Sequence, residues 1–178
     1  MKRVCVFAGS SAGHDPRHRA ASVALADALA AAQLELVYGG GCIGLMGTLA
    51  DAMLERGGRV IGVIPRMLLE REVGHRNVTE LKIVTSMHER KAVMAELADA
   101  FVVLPGGFGT LDETFEMLTW AQLGLQRQPV GLLNVGGYFD RLLEFLDHAA
   151  EQGFVSAPHR ALLAVAVEPK ALLERLVA

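Results

Sequence analysis

AFVVLPGGFGTLDETFEMLTWAQLG, residues 100–124, joins an apolar strand to a helix through a glycine-rich turn. Ala100 to Leu104 is a five-residue apolar run, the pattern of a strand buried on both faces of a parallel sheet. Pro105 ends it, because proline has no backbone N–H for the next ladder bond. Gly106, Gly107 and Gly109 leave Phe108 as the one side chain of the turn. Backbone N–H groups are thereby opened to a close-fitting anion, beside the positive end of a helix. Thr110 reads as the N-cap, with Glu113 completing a T-x-x-E capping box. A second reading puts the Glu113 carboxylate at the lip of a phosphate-lined cleft. Spacing alone leaves both readings open. Glu116 and Trp120 extend the same stripe at i+3 and i+7. Two acids and the single Trp on one stripe do not make a plain core face; something polar is served there.

Outward from this stretch, strands and helices alternate along the whole chain. Arg3 to Ala8 reads as a strand, and Asp15-Pro16 as an N-cap followed by a proline at the first helical position of a helix to about Ala32. Leu34 to Tyr38 is a second strand, after which GGGCIGLMG (39–47) opens a helix ending near Arg56. Arg59 to Ile64 is a third strand, closed by Pro65, and Met67 to His75 reads as a loop or short helix. Leu81 to Val84 is a fourth strand, followed by an S-x-x-E capping box at Ser86 and a helix to about Leu97. Beyond the central stretch come a strand at Val130 to Leu133, a helix from about Tyr138 to Gln152, an apolar segment at Leu162 to Val167, and a last helix from Pro169. The pattern predicts a single α/β domain over residues 1–178, Rossmann-like and doubly wound, with a parallel β-sheet flanked by helices on both faces.

Composition narrows the function classes. The 178 residues carry 17 Lys and Arg against 20 Asp and Glu, a balance that argues for neither nucleic acid nor an anionic membrane as partner. Hydrophobic residues make up 52% and the mean hydropathy is +0.33, yet no apolar run approaches the ~18 residues of a membrane span. The excess, with a Met117/Trp120/Ala121 stripe, predicts a homodimer. The start MKRVCVFAGSS holds too short an apolar run for a signal peptide, and two cysteines without a pairing pattern suit a reducing compartment, so a cytoplasmic protein is expected. His14 and His18 are four apart, but a helix start falls between them, so no metal site is expected. Cys42 lies in a glycine loop without an obvious His partner and reads as a plain thiol.

Gly39, Gly41 and Gly44 satisfy G-x-G-x-x-G between a strand and a helix. A dinucleotide site also wants an acid at the end of the next strand, which here runs Val63-Ile64-Pro65-Arg66. No bound NAD(H) is therefore expected, although Arg66 would suit a 2′-phosphate. Neither glycine loop carries the Lys-Ser/Thr pair of a P-loop. The ligand expected is a mononucleotide held between the two loops. Arg90 and Lys91 fall early in a helix, where the dipole disfavours cations by about 0.3–1 kcal/mol. The ordinary reading is two solvated charges; the topology, which brings strand ends here, favours a ligand.

PGGFGTLDE (105–113), MHERK (87–91) and GGGCIGLMG together resemble the Lonely Guy (LOG) family of cytokinin riboside 5′-monophosphate phosphoribohydrolases. The resemblance extends from VFAGSS near the start to TWAQLG and PVGLLNVGGYFDRLLEFLD. One departure is Asp112, where many relatives carry Glu. The resemblance implies hydrolysis of the N-glycosidic bond of cytokinin riboside 5′-monophosphates or AMP, with no cofactor and in a homodimer. It implies Arg90 and Glu113 as the catalytic pair. Substrate contacts would come from Glu72, Lys91, Gly106, Gly107, Phe108, Gly109, Thr110, Leu111, Asp112 and Thr119, and a second loop at Gly9, Ser10, Gly40 and Gly41 would complete the phosphate cradle. A lysine decarboxylase label, often attached to such chains, finds no pyridoxal-phosphate lysine pattern here. Two other readings stay open on the same fold: a nucleotide carrier or sensor that turns nothing over, and an NADP-dependent reductase.

Overall fold

The computed structural model describes residues 1–69 and 74–177. Their strands are β1 (Arg3–Phe7), β2 (Glu35–Tyr38), β3 (Val60–Pro65), β4 (Glu80–Val84), β5 (Ala100–Val103), β6 (Val130–Leu133) and β7 (Leu163–Ala166). All neighbours pair in parallel, in the order β4-β3-β2-β1-β5-β6-β7. The chain winds outward from β1 to β4, then crosses back to lay β5 against β1 in the register Val4↔Ala100 to Phe7↔Val103. That reversal opens a crevice beyond the carboxyl ends of β1 and β5, where ligands of open α/β sheets bind.

The helices are α1 (Pro16–Ala31), α2 (Gly44–Glu55), α3 (Arg66–Leu69), α4 (Met87–Leu97), α5 (Phe108–Gln122), α6 (Asp140–Glu151), α7 (Ala157–Arg160) and α8 (Pro169–Val177). Side chains alternate across the sheet, as strand geometry requires. Val4 and Val6 point into one layer with Leu25, Leu29 and Leu49, under α1, α2 and α8. Cys5 and Phe7 point into the other with Met94, Phe101 and Met117, under α4, α5 and α6. Each fully buried aliphatic contributes about 1.5–3 kcal/mol. A charge in β5, as in Val102→Asp, would sit unpaired in the apolar layer under α1, α2 and α8 and should cost several kcal/mol, read as loss of a cooperative melt.

The expected doubly wound sheet is present, with strand limits shifted by a residue or two. β3 ends at Pro65, as expected, with the proline itself as the last residue of the strand. Pairing to β2 ends at Gly62, so the missing N–H of Pro65 leaves no bond to β2 unmade. The apolar segment near Leu162 is the edge strand β7, paired to β6. α6 begins at Asp140 rather than near Tyr138, because Gly136 (φ 58°) and Gly137 (φ 75°) hold a left-handed turn ahead of it. Met117, offered above as a surplus apolar residue, is buried against the sheet. Exposed apolar side chains at the end of α5, on α6 and just after it include Leu123, Leu125, Phe145 and Phe154. Among the described residues no helix is long and apolar enough to cross a membrane.

Candidate functional site

A cleft of about 390 Å³ lies at the carboxyl edge of the sheet, where the loops after β1, β2, β3 and β5 meet α4. Its most polar wall is the amino end of α5. Gly107 is the N-cap and offers no side-chain cap, so the helix opens on bare backbone. Leu111 supplies the first amide bonded back into the turn, to the Gly107 carbonyl at 3.1 Å. The amides of Phe108, Gly109 and Thr110 precede it and have no acceptor within the helix. All three residues line the cleft, with Gly107. Aligned peptide dipoles make this end attractive to an anion.

The second glycine loop serves a different purpose. At the start of α2 the amides of Leu45 and Met46 both donate to the Gly9 carbonyl, at 3.0 and 3.3 Å. Gly44 holds φ at 64°, and a Cβ there would stand 2.3 Å from the Ser10 carbonyl carbon. The loop is thus sealed against the end of β1. Gly9, Ser10 and Gly41 line the cleft, but Gly40 does not; its carbonyl accepts from the His75 amide at 2.8 Å. Of the second loop expected to complete the cradle, Gly9, Ser10 and Gly41 thus face the cleft, while the Leu45 and Met46 amides of α2 are already bonded.

The expected capping box at Thr110 and Glu113 does not form. Without Cβ atoms at Gly107 and Gly109 the backbone enters the helix at Phe108, ahead of Thr110. Thr110 is then buried in the first turn, with its carbonyl accepting from the Thr114 hydroxyl at 2.6 Å. Glu113 falls one turn further on and faces the cleft. Its Oε1 lies 3.7 Å from Arg90 Nη1. The Ser86 cap does form: its Oγ accepts from the Glu89 amide at 3.1 Å, and the Glu89 carboxylate reaches back to the Thr85 N–H at 2.6 Å.

Arg90 is not a solvated charge. It is 8% exposed, with Nε donating to the Val63 carbonyl at 3.2 Å and Nη2 to the Gly39 carbonyl at 3.1 Å. Two loop carbonyls aim the fork, and Nη1 is left to face Glu113. Burial raises the pKa of Glu113 above the usual glutamate value, and the nearby Arg90 charge opposes that shift without cancelling it. The pair is a buried carboxylate held beside a fixed cation at the rim of an anion cradle. Gly39 makes room for it, since a Cβ there would stand 1.8 Å from Nη2. Nη2 is the end of a flexible side chain, so Gly39→Ala should push the guanidinium aside without unfolding the sheet. The expected result is at least a tenfold loss in kcat/KM with the melting temperature shifted by only a few degrees, measured by steady-state kinetics and calorimetry.

Lys91 and the acids of α5 form a second cluster beside the cleft. Lys91 Nζ lies 2.9 Å from Glu116 Oε2 and 3.1 Å from Asp112 Oδ2. Burial pulls the ammonium pKa down, but bonds and charge from Glu116 and Asp112 outweigh it and leave it raised. The polar duty of the Glu116 stripe is therefore to hold Lys91. Lys91, Asp112, Leu111, Gly106 and Thr119 do not line the cleft; the Thr119 hydroxyl donates to the Phe115 carbonyl at 2.7 Å. Glu72 lies outside the described residues. Sequence reading also missed an apolar wall made by Ile43, Met46, Ile64 and Leu68. Such residues carry no signal that separates a cleft wall from a core.

A family model described as "possible lysine decarboxylase" matches residues 46–176. A cytokinin riboside 5′-monophosphate phosphoribohydrolase of Arabidopsis thaliana is 49% identical over 176 residues, covering 99% of this chain and 81% of its own length. A second from the same plant is 50% identical over 176 residues, covering 99% and 83%. A probable one of Oryza sativa subsp. japonica is 52% identical, covering 99% and 78%. Among solved structures, a molybdenum cofactor binding protein of Rippkaea orientalis superposes with a TM-score of 0.74 at 19% identity, covering 99% and 98%. The molybdenum cofactor carrier protein of Chlamydomonas reinhardtii gives 0.69 at 19%. At that identity these two share the fold alone.

Proposed function

The chain belongs to the LOG family of cytokinin riboside 5′-monophosphate phosphoribohydrolases, and from that premise we propose that it hydrolyses the N-glycosidic bond of nucleoside 5′-monophosphates, giving free base and ribose 5-phosphate. The observation that carries the reading is the union, in one cleft, of the open amides of α5 with the Glu113–Arg90 pair. The amides of Phe108, Gly109 and Thr110 suit the 5′-phosphate. That anchors the ribose with C1′ near Glu113. As the C1′–N bond breaks, its electrons leave with the base and positive charge builds on the ring. A carboxylate at that point stabilises the oxocarbenium-like centre and orients the water, whose oxygen bonds to C1′ as one of its protons is lost to the carboxylate and passes on to the departing base. Arg90 remains protonated at any working pH, so it acts through charge and hydrogen bonding, not as a proton donor.

The lysine decarboxylase description has no chemical support in this chain. Its four lysines are Lys2, Lys82, Lys91 and Lys170, and none lines the cleft. Lys91, the nearest, is held charged by two carboxylates, the wrong state for a nucleophilic amine. The apolar wall of Ile43, Met46, Ile64 and Leu68 favours a base with an apolar substituent. An N6-prenylated AMP is therefore expected to give a higher kcat/KM than AMP. Both should yield base and ribose 5-phosphate in equal amounts by chromatography. Tight binding of both with no base released would instead favour a nucleotide carrier on the same fold.

The acting form is a cytoplasmic homodimer in this reading. Its support is the exposed apolar set Leu123, Leu125, Phe145 and Phe154 at the end of α5, on α6 and just after it. Sedimentation at micromolar concentration should give twice the chain mass; a monomer would overturn it.

A further inference from the structure

The turn before α6, Asn134 to Asp140, contributes nothing to the cleft lining, yet it reaches the phosphate loop. The Tyr138 hydroxyl donates to the Gly106 carbonyl at 2.7 Å. The half-exposed ring is held by its backbone turn and by two neighbouring rings. Gly136 and Gly137 set a left-handed turn ahead of it, and the Tyr138 amide donates to the Val135 carbonyl at 3.0 Å. Asn134 ties the turn, with Oδ1 accepting from the Phe139 amide at 2.9 Å and Nδ2 donating to Asp140 Oδ1 at 2.7 Å. The ring packs edge-on against His18 and Phe139, with centroids 5.3 and 4.8 Å away. The hydroxyl is therefore delivered to one point.

The bonded carbonyl belongs to the peptide between Gly106 and Gly107. In a trans peptide the C=O and N–H bonds point to opposite sides. Tyr138 lies outside the cleft and draws the carbonyl its way, so the Gly107 N–H of the same plane is turned away from Tyr138, and Gly107 lines the cleft. A peptide flanked by two glycines is the most easily rotated of the loop, because neither side chain resists the turn. A bond accepted at the carbonyl also polarises the amide and strengthens its N–H as a donor. We infer that Tyr138 is a positioning residue of the phosphate site: it locks the 106–107 peptide so that the Gly107 N–H joins the open amides of α5 in holding the 5′-phosphate. The inference rests on the reading that the cleft takes a nucleoside 5′-monophosphate.

The test is Tyr138→Phe, which keeps the ring and its packing and removes only the hydroxyl. Binding of ribose 5-phosphate is measured by calorimetry, so the readout does not depend on turnover. Its Kd should rise roughly fivefold, the worth of one hydrogen bond. KM for AMP should rise by the same factor with kcat within twofold. Turnover of the phosphate-free riboside should be unchanged, whereas a general loosening of the fold would depress it too. Tyr138→Leu, which also loses the ring contacts, should lower the melting temperature where Tyr138→Phe does not. A Tyr138→Phe protein that binds ribose 5-phosphate as tightly as wild type overturns the inference, as does a wild type that does not bind it. Failure of the hydrolase reading looks different: no base released by a wild type that still binds ribose 5-phosphate, in which case the Kd ratio continues to decide the role of Tyr138.

Discussion

Glu113→Gln should lower kcat by about 100-fold or more, roughly 2.7 kcal/mol of transition-state stabilisation, while raising the melting temperature at neutral pH. The two effects share one cause. Burial raises the Glu113 pKa in the fold, and Arg90 at 3.7 Å opposes that only in part. In the unfolded chain a glutamate titrates near 4.3. The folded value is higher, so the native state favours the protonated form, and holding the charge costs stability. That cost is absent below about pH 4 and grows as pH rises through the folded pKa, then stays constant. Gln does not titrate, so the advantage of the variant should appear in melts at pH 7 or 8 and vanish at pH 4. In the proposed mechanism catalysis runs the other way, because the ribosyl cation would be stabilised by the charge. In the wild type, kcat should therefore fall on the acid side at a pH above the ordinary glutamate range. Had Glu113 served a capping box, Gln would replace it with little loss of activity. Base release from AMP within a few-fold of wild type would refute the catalytic role. A melting temperature below wild type at pH 8 would refute the cost of burying the charge.

What the sequence disclosed follows from how local each signal is. β5 and its neighbours were legible because a strand buried on both faces writes an unbroken apolar run, and α1 because Asp15-Pro16 marks its start. The start of α5 was misjudged for a physical reason. A capping box is recognised from side chains, but Gly107 and Gly109 have none, and the backbone enters the helix three residues earlier than the Thr110 pattern implies. Arg90 and Lys91 read in sequence as two solvated charges, because the groups that bury Arg90, the Val63 and Gly39 carbonyls, are 27 and 51 residues away in the chain. Only the sheet order brings them together. Lys91 was tied to Glu116 and Asp112 by the same crossing of α4 and α5, which no helix periodicity encodes. Resemblance to a known family singles out Arg90 together with Glu113, which the fold brings to 3.7 Å, but not which loop amides are left open.

Arg90→Lys keeps the charge and should still cost about 100-fold in kcat/KM. The guanidinium meets three demands at once: Nε on the Val63 carbonyl, Nη2 on the Gly39 carbonyl, and Nη1 toward Glu113. An ammonium donates from a single point and cannot span positions fixed by a planar fork. At least one buried carbonyl then loses its donor, at about 1–3 kcal/mol. For a chain of this length each kcal/mol moves the melting temperature by about 2–4 °C, so a drop of several degrees should accompany the kinetic loss. Arg90→Met separates charge from geometry. Arg90 is the main influence lowering the Glu113 pKa, so its removal lets the carboxyl pKa climb further. The acid limb of kcat should then move to higher pH in Arg90→Met, while in Arg90→Lys it stays close to the wild-type position because a cation remains. Paired pH profiles of the two variants read this directly. An Arg90→Lys enzyme within threefold of wild-type kcat/KM would show that charge alone suffices and that the two carbonyl bonds aim nothing. An unmoved acid limb in Arg90→Met would show that the carboxylate it titrates is not Glu113.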